Sequence, residues 1–163
     1  PLHGGLVSVG DGAKPDEFRE GTWLLRPDSV AAGSVLDNLR FAELDLDENE
    51  AWELLAEVNL HTRICALPDG LHTELRPGGG PLTRTEVARL ALARAMAAKP
   101  SLLLIDGGLD DLGLAGEAFE CLLDVVLGPD APWTAVVVTH RPEVAERCTQ
   151  SINLTDSDTQ EAA

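Results

Sequence analysis

The sequence predicts an α/β fold built on a parallel sheet layer, and three observations carry that prediction. Leu102-Leu103-Leu104-Ile105, ending in Asp106, is a solid apolar run, as a strand buried on both faces of a parallel sheet would be. Thr134-Ala135-Val136-Val137-Val138 is a second fully buried run of this kind, ending in Thr139-His140. Leu114 to Val126 between them is amphipathic at helical spacing, and Pro142 to Cys148 reads as a short helix before a strand at Ser151 to Leu154. Strand, helix, strand, helix, strand is the grammar of a right-handed parallel layer. Ligands in such sheets sit beyond the carboxyl ends of the strands, which makes Asp106 and His140 the first candidate site residues.

The remaining elements follow in chain order. Leu6-Val7-Ser8-Val9 reads as a short strand broken by Gly10-Asp11-Gly12, and Thr22-Trp23-Leu24-Leu25 as a second, stopped by Pro27. Ser34 to Phe41 places Val35, Leu36 and Leu39 on one side of a short helix. Asp47 with Glu50 forms a capping box for a helix carrying Trp52, Leu54, Leu55 and Val58. Leu67-Pro68-Asp69-Gly70 is a turn, and Arg76 to Pro81 is a glycine-dense loop. Thr83 and Glu86 form a further capping box that opens a helix over Arg84 to Ala98, with Val87, Leu90, Ala91, Arg94 and Ala95 at helical spacing. Residues 28–99 therefore read as a helical subdomain inserted into an α/β core of residues 1–27 and 100–154, with residues 155–163 a polar, disordered tail.

Composition narrows the function. The 163 residues hold 12 Lys plus Arg against 28 Asp plus Glu, a formal charge of −16, so nucleic acid and anionic membrane surfaces are disfavoured partners. The two lysines, Lys14 and Lys99, each precede a proline, so these residues contain no Gly-Lys-Ser/Thr phosphate loop. Cys65, Cys121 and Cys148 are too scattered for a disulfide framework or a zinc site and read as buried reduced thiols. No apolar run approaches the ~20 residues of a membrane helix. Pro1 is no natural initiator and no leader follows it, so the chain reads as cut from something longer.

The order of segments resembles the nucleotide-binding domain of ATP-binding cassette (ABC) transporters, exporter type, over nearly the whole length. Pro1 to Gly10 is similar to the stretch after the family's P-loop helix, which implies a phosphate loop upstream of Pro1. Gly33 to Leu39 resembles the segment after the Q-loop and puts Arg26 at the glutamine position. Pro68 to Leu75 resembles the run before the signature loop, and Leu82-Thr83-Arg84-Thr85-Glu86 stands where the family has Leu-Ser-Gly-Gly-Gln. Arg89 to Ala95 is close to the family's wording, and Leu102 to Asp106 resembles a Walker B strand. Gly107 then occupies the catalytic Glu position, Gly113 the D-loop aspartate, and His140 the switch histidine.

The resemblance implies an ABC ATPase fold of P-loop NTPase type with its N-terminal part missing. ATP and Mg²⁺ are the implied cofactors, with Asp106 holding the metal and His140 reaching the γ-phosphate or the lytic water. Both would need the upstream phosphate loop for tight binding. Gly107 removes the carboxylate that polarises water, a loss of about 10²–10⁴ in rate. Arg26 cannot accept a hydrogen bond or ligate Mg²⁺. Thr83 keeps a hydroxyl at the signature position, whereas Arg84 and Thr85 replace glycines that let the backbone approach phosphate. The implied partners are a transporter's transmembrane domain, fused or separate, and a second nucleotide-binding domain, at the cytoplasmic side of the membrane. The leading expectation is ATP binding, with weak or absent hydrolysis, coupled to transport. A catalytically inactive regulatory or dimerisation module is the alternative, favoured by Gly107, Arg26 and Arg84. An unrelated acidic α/β module would make the matching stretches coincidental.

Overall fold

The computed structural model describes residues 21–25, 30–43 and 45–152. The expected strand at Leu6 to Val9, Arg26, and residues 155–163 lie outside the described residues. In chain order, β1 (Thr22–Leu25) is followed by the two-residue β2 (Gly33–Ser34), α1 (Val35–Arg40), α2 (Glu48–Glu57) and α3 (His61–Cys65). A 3-10 turn over Gly70–His72 leads into β3 (Glu74–Leu75), which pairs antiparallel with β2. Next come α4 (Arg84–Ala97), β4 (Leu102–Asp106), α5 (Glu117–Leu127), β5 (Thr134–Val138) and α6 (Pro142–Arg147). The strands β1, β4 and β5 make a three-stranded parallel sheet with β4 in the centre. The α/β layer with a parallel sheet is therefore present, and α1 to α4 lie between β1 and β4 in sequence.

Local chemistry sets where the helices start. Ser34, Asp47 and Thr83 each accept from the main chain three residues on, while Asp37, Glu50 and Glu86 reach back to the cap residue's own N–H. Packing then decides what holds them. In α4 every residue from Val87 to Ala97 is buried, so this helix is enclosed on all sides rather than amphipathic. Burying Leu90 and Leu92 contributes about 2 kcal/mol each, against about 1 kcal/mol for a cap. One hydrophobic cluster runs from Leu39, Leu55 and Ile64 through Leu92 to Leu25, Leu103 and Ile105, which seats the helical segment directly on the sheet.

Four expectations require correction. β5 is not buried on both faces: Val136 is 40% and Val138 48% exposed, and Leu24 on the same face of β1, across β4, is 47% exposed. The register aligns Leu24, Leu104 and Val136 on that face, while Leu25, Leu103 and Ile105 are buried on the other. An apolar strand declares its preference for burial, not which of its faces has a covering layer. The helix expected from Leu114 begins at Glu117 because Gly116 sits at φ +58°, a left-handed conformation that keeps Leu114 out of the first turn. Of the strand expected over Ser151 to Leu154, Ser151 and Ile152 are not in a strand and Ile152 is 85% exposed, while Asn153 and Leu154 lie outside the described residues. The thiols are not buried: Cys65 and Cys121 are exposed and Cys148 is half-buried, because each lies on the outer side of a helix or at its end. No helix among the described residues is long and apolar enough to cross a membrane.

Candidate functional site

The carboxyl edge of the sheet brings the strand-end candidates together. Asp106 closes β4 opposite Val138 of β5, and the Gly107 N–H donates to the Val138 carbonyl at 2.9 Å, extending the pairing one residue beyond Asp106. The chain then folds back, with the Asp110 N–H on the Gly107 carbonyl at 3.1 Å. This turn delivers the Asp110 carboxylate to the loop after β5. Its Oδ1 accepts from the Thr139 hydroxyl and its Oδ2 from the His140 N–H at 3.0 Å. Thr139 Oγ1 in turn accepts from the Arg141 N–H at 3.0 Å. On the far side the Arg141 guanidinium lies 3.8 Å above the centre of the Phe119 ring, so the main chain at His140 is held from both directions. Asp106 and His140 remain exposed.

The start of α4 is a closed hydrogen-bonding unit. The Thr83 N–H donates to Glu86 Oε2 at 2.8 Å and the Glu86 N–H to Thr83 Oγ1 at 3.3 Å. Arg63 adds its Nε to Glu86 Oε1 at 3.1 Å and its Nη2 to the Pro81 carbonyl at 3.1 Å. Burial alone would raise the Glu86 carboxyl, but the hydrogen bonds to Thr83 and the Arg63 charge outweigh it and hold the group below its ordinary value. Glu86 is thus committed to its own helix. Two first-turn N–H groups that a phosphate would want are occupied, while Thr83 and Arg84 are exposed.

These two units meet at one point. A Cβ placed on Gly113 would stand 3.0 Å from both Cβ and Oγ1 of Thr85, so the loop from Gly107 to Gly113 runs against the first turn of α4. Leu109 and Leu112 of that loop are fully buried. Thr85 and Gly113 therefore fit each other: the side chain on one is accommodated by the absence of one on the other. Gly107 differs. It stands at φ +63° with open space where a Cβ would point, so a carboxylate there would meet no obstruction but a strained backbone.

Among the described residues no group of three or more His, Cys, Asp or Glu side chains could hold a metal ion. A Mg²⁺ shell needs only one or two carboxylates when water and phosphate oxygens complete it, and the exposed Asp106 carboxylate fits that share. The sequence reading missed Asp110. Its signal in the sequence is only an acid within Gly-Gly-Leu-Asp-Asp, and its partners lie 29 and 30 residues away.

No protein-family model matches the chain. It is similar to the mitochondrial potassium channel ATP-binding subunit of Mus musculus, with 30% identity over 110 residues, 68% of this chain and 15% of that protein. It is also similar to a probable ABC transporter ATP-binding/permease protein of Haemophilus influenzae, with 28% identity over 121 residues, 74% of this chain and 22% of that one. The chain thus spans about a fifth or less of the relatives it matches. A bacterial Atm1-family ABC exporter with ATP bound shares the fold, with a TM-score of 0.68 and 22% identity over 78% of this chain and 22% of the exporter.

Proposed function

We propose, for a chain that belongs to the ATP-binding cassette transporter family, that it serves as the nucleotide-facing domain of such a transporter and turns ATP over slowly or not at all. The observation that carries this reading is the carboxyl edge of the sheet, where Asp106 ends β4 and Gly107 and His140 lie just beyond the ends of β4 and the adjacent parallel β5. Asp106 would hold Mg²⁺, and His140 would donate to the γ-phosphate or accept from the lytic water. Bound Mg²⁺ would neutralise phosphate charge. Gly107 supplies no base to the attacking water. At the signature position Thr83 offers a hydroxyl and Arg84 a charge, whereas Thr85 and Glu86 are occupied by Gly113 and the cap. Arg26 takes the Q-loop position. Residues 28–99 act in this reading as the inserted helical subdomain, with residues 1–27 and 100–154 as the α/β core. The partners are a membrane domain, on whose cytoplasmic side the chain works, and a second nucleotide-binding domain.

One observation favours a second reading, a catalytically inactive module that retains the dimerising surface. Gly113 cannot carry the family's aspartate without displacing Thr85, so the departures at these two positions support each other. Phosphate release and MgATP calorimetry on the full-length protein separate the readings. The first expects MgATP binding that weakens in Asp106→Asn and His140→Ala, and the second expects no binding in any of the three. Gly107→Glu is expected to raise phosphate release by less than the about 10²–10⁴ of an unstrained base. An unchanged rate in that variant would place the limit at Arg26 or at the start of α4.

A further inference from the structure

We propose that Asp110 is the positioning residue for His140. The inference rests on the reading of His140 as facing nucleotide, but its structural half stands by itself. Few groups can fix a loop that follows the end of a strand, because the strand's ladder has ended. The chain at Thr139 and His140 lies beyond the last residue of β5, and the Asp110 carboxylate supplies what the ladder no longer does. Two acceptor oxygens take two donors from consecutive residues, the Thr139 hydroxyl and the His140 N–H. Charge-assisted hydrogen bonds of this kind are roughly twice as strong as neutral ones. Holding the N–H of His140 and, through Thr139 Oγ1, the N–H of Arg141 fixes the peptide on each side of His140 and so its Cα–Cβ direction, and with it the region the imidazole sweeps.

Asp110 is itself well anchored. Its neighbour Leu109 and, two residues on, Leu112 are fully buried, the turn to Gly107 closes the loop on one side, and Gly113 rests on Thr85 on the other. The loop over residues 107–113 is therefore a strap between the first turn of α4 and the loop of His140, and Asp110 is its fastening at the His140 end.

The test uses the full-length protein with Asp110→Ala, Asp110→Asn and Thr139→Val. Hydrogen exchange read by mass spectrometry reports the segment 139–141, and calorimetry reports MgATP affinity. Asp110→Ala is expected to speed exchange in that segment about tenfold while α4 and β4 keep their protection. Asp110→Asn, whose amide oxygen still accepts, should recover most of it, and Thr139→Val should fall between. If His140 faces nucleotide, Asp110→Ala and His140→Ala weaken MgATP binding alike, and the double variant weakens it no further. Unchanged exchange in Asp110→Ala, or a rise shared equally by α4 and β4, would overturn the proposal, as would additive losses in the double variant. Expected exchange together with a His140→Ala variant that binds MgATP normally would uphold Asp110 as the anchor and remove the nucleotide-facing role of His140.

Discussion

The first turn of α4 and the loop over residues 107–113 touch at Thr85 and Gly113, yet they are built by opposite means. The helix start is organised by residues within three positions of one another, Thr83 and Glu86, with Arg63 added from outside. The loop has no regular structure and is organised by groups far away in sequence, Asp110 on Thr139 and His140 and Gly113 on Thr85. A local unit satisfies its own donors and so has fewer to offer a ligand. A unit held by distant contacts keeps its neighbours Asp106 and His140 exposed and free to meet one.

Variants that break one unit should leave the other readable. The largest effect is expected from Leu112→Ala, which empties a fully buried site under the loop and should cost about 3 kcal/mol in denaturant unfolding. Gly113→Asp should follow at about 2 kcal/mol, because φ +66° strains any side chain and the new Cβ meets Thr85. Adding Thr85→Gly should recover the contact part but not the backbone part, and a double-mutant cycle with no coupling would show that the two positions do not interlock. Thr83→Ala removes the cap from α4 and should cost about 1 kcal/mol, leaving exchange at residues 139–141 unchanged.

The smallest effect is the pH dependence carried by Glu86. Its folded carboxyl titrates below the ordinary 4.5, so its contribution is complete above that value and is lost as pH falls through the lowered folded value. Stability measured from pH 7 downward should therefore stay level in this respect until about pH 4.5 and then decline. In Glu86→Gln that part of the decline should be absent. Asp37, held low by the Ser34 main-chain hydrogen bond and then by the Ser34 hydroxyl, adds to the same acid limb.

The contrast also explains what the sequence made legible. The caps at Asp47 and Thr83, the strands β1, β4 and β5, and the placing of Asp106 and His140 at strand ends were all readable, because periodicity and capping are short-range patterns. The exposure of Val136 and Val138 was not, since coverage of a sheet face is a property of other elements. Asp110 escaped notice for the same reason. The complementarity of Thr85 and Gly113 was visible only as two unrelated departures from a pattern until the backbone brought them together.

On the proposed reading, this edge of the sheet meets nucleotide without the base that hydrolysis needs. Phosphate release by the full-length protein at saturating MgATP tests it most directly. Release about 10²–10⁴ slower than that of a family member carrying the carboxylate is expected, with MgATP binding retained and weakened by Asp106→Asn. Turnover on the order of 10 s⁻¹, the median for enzymes, would contradict it.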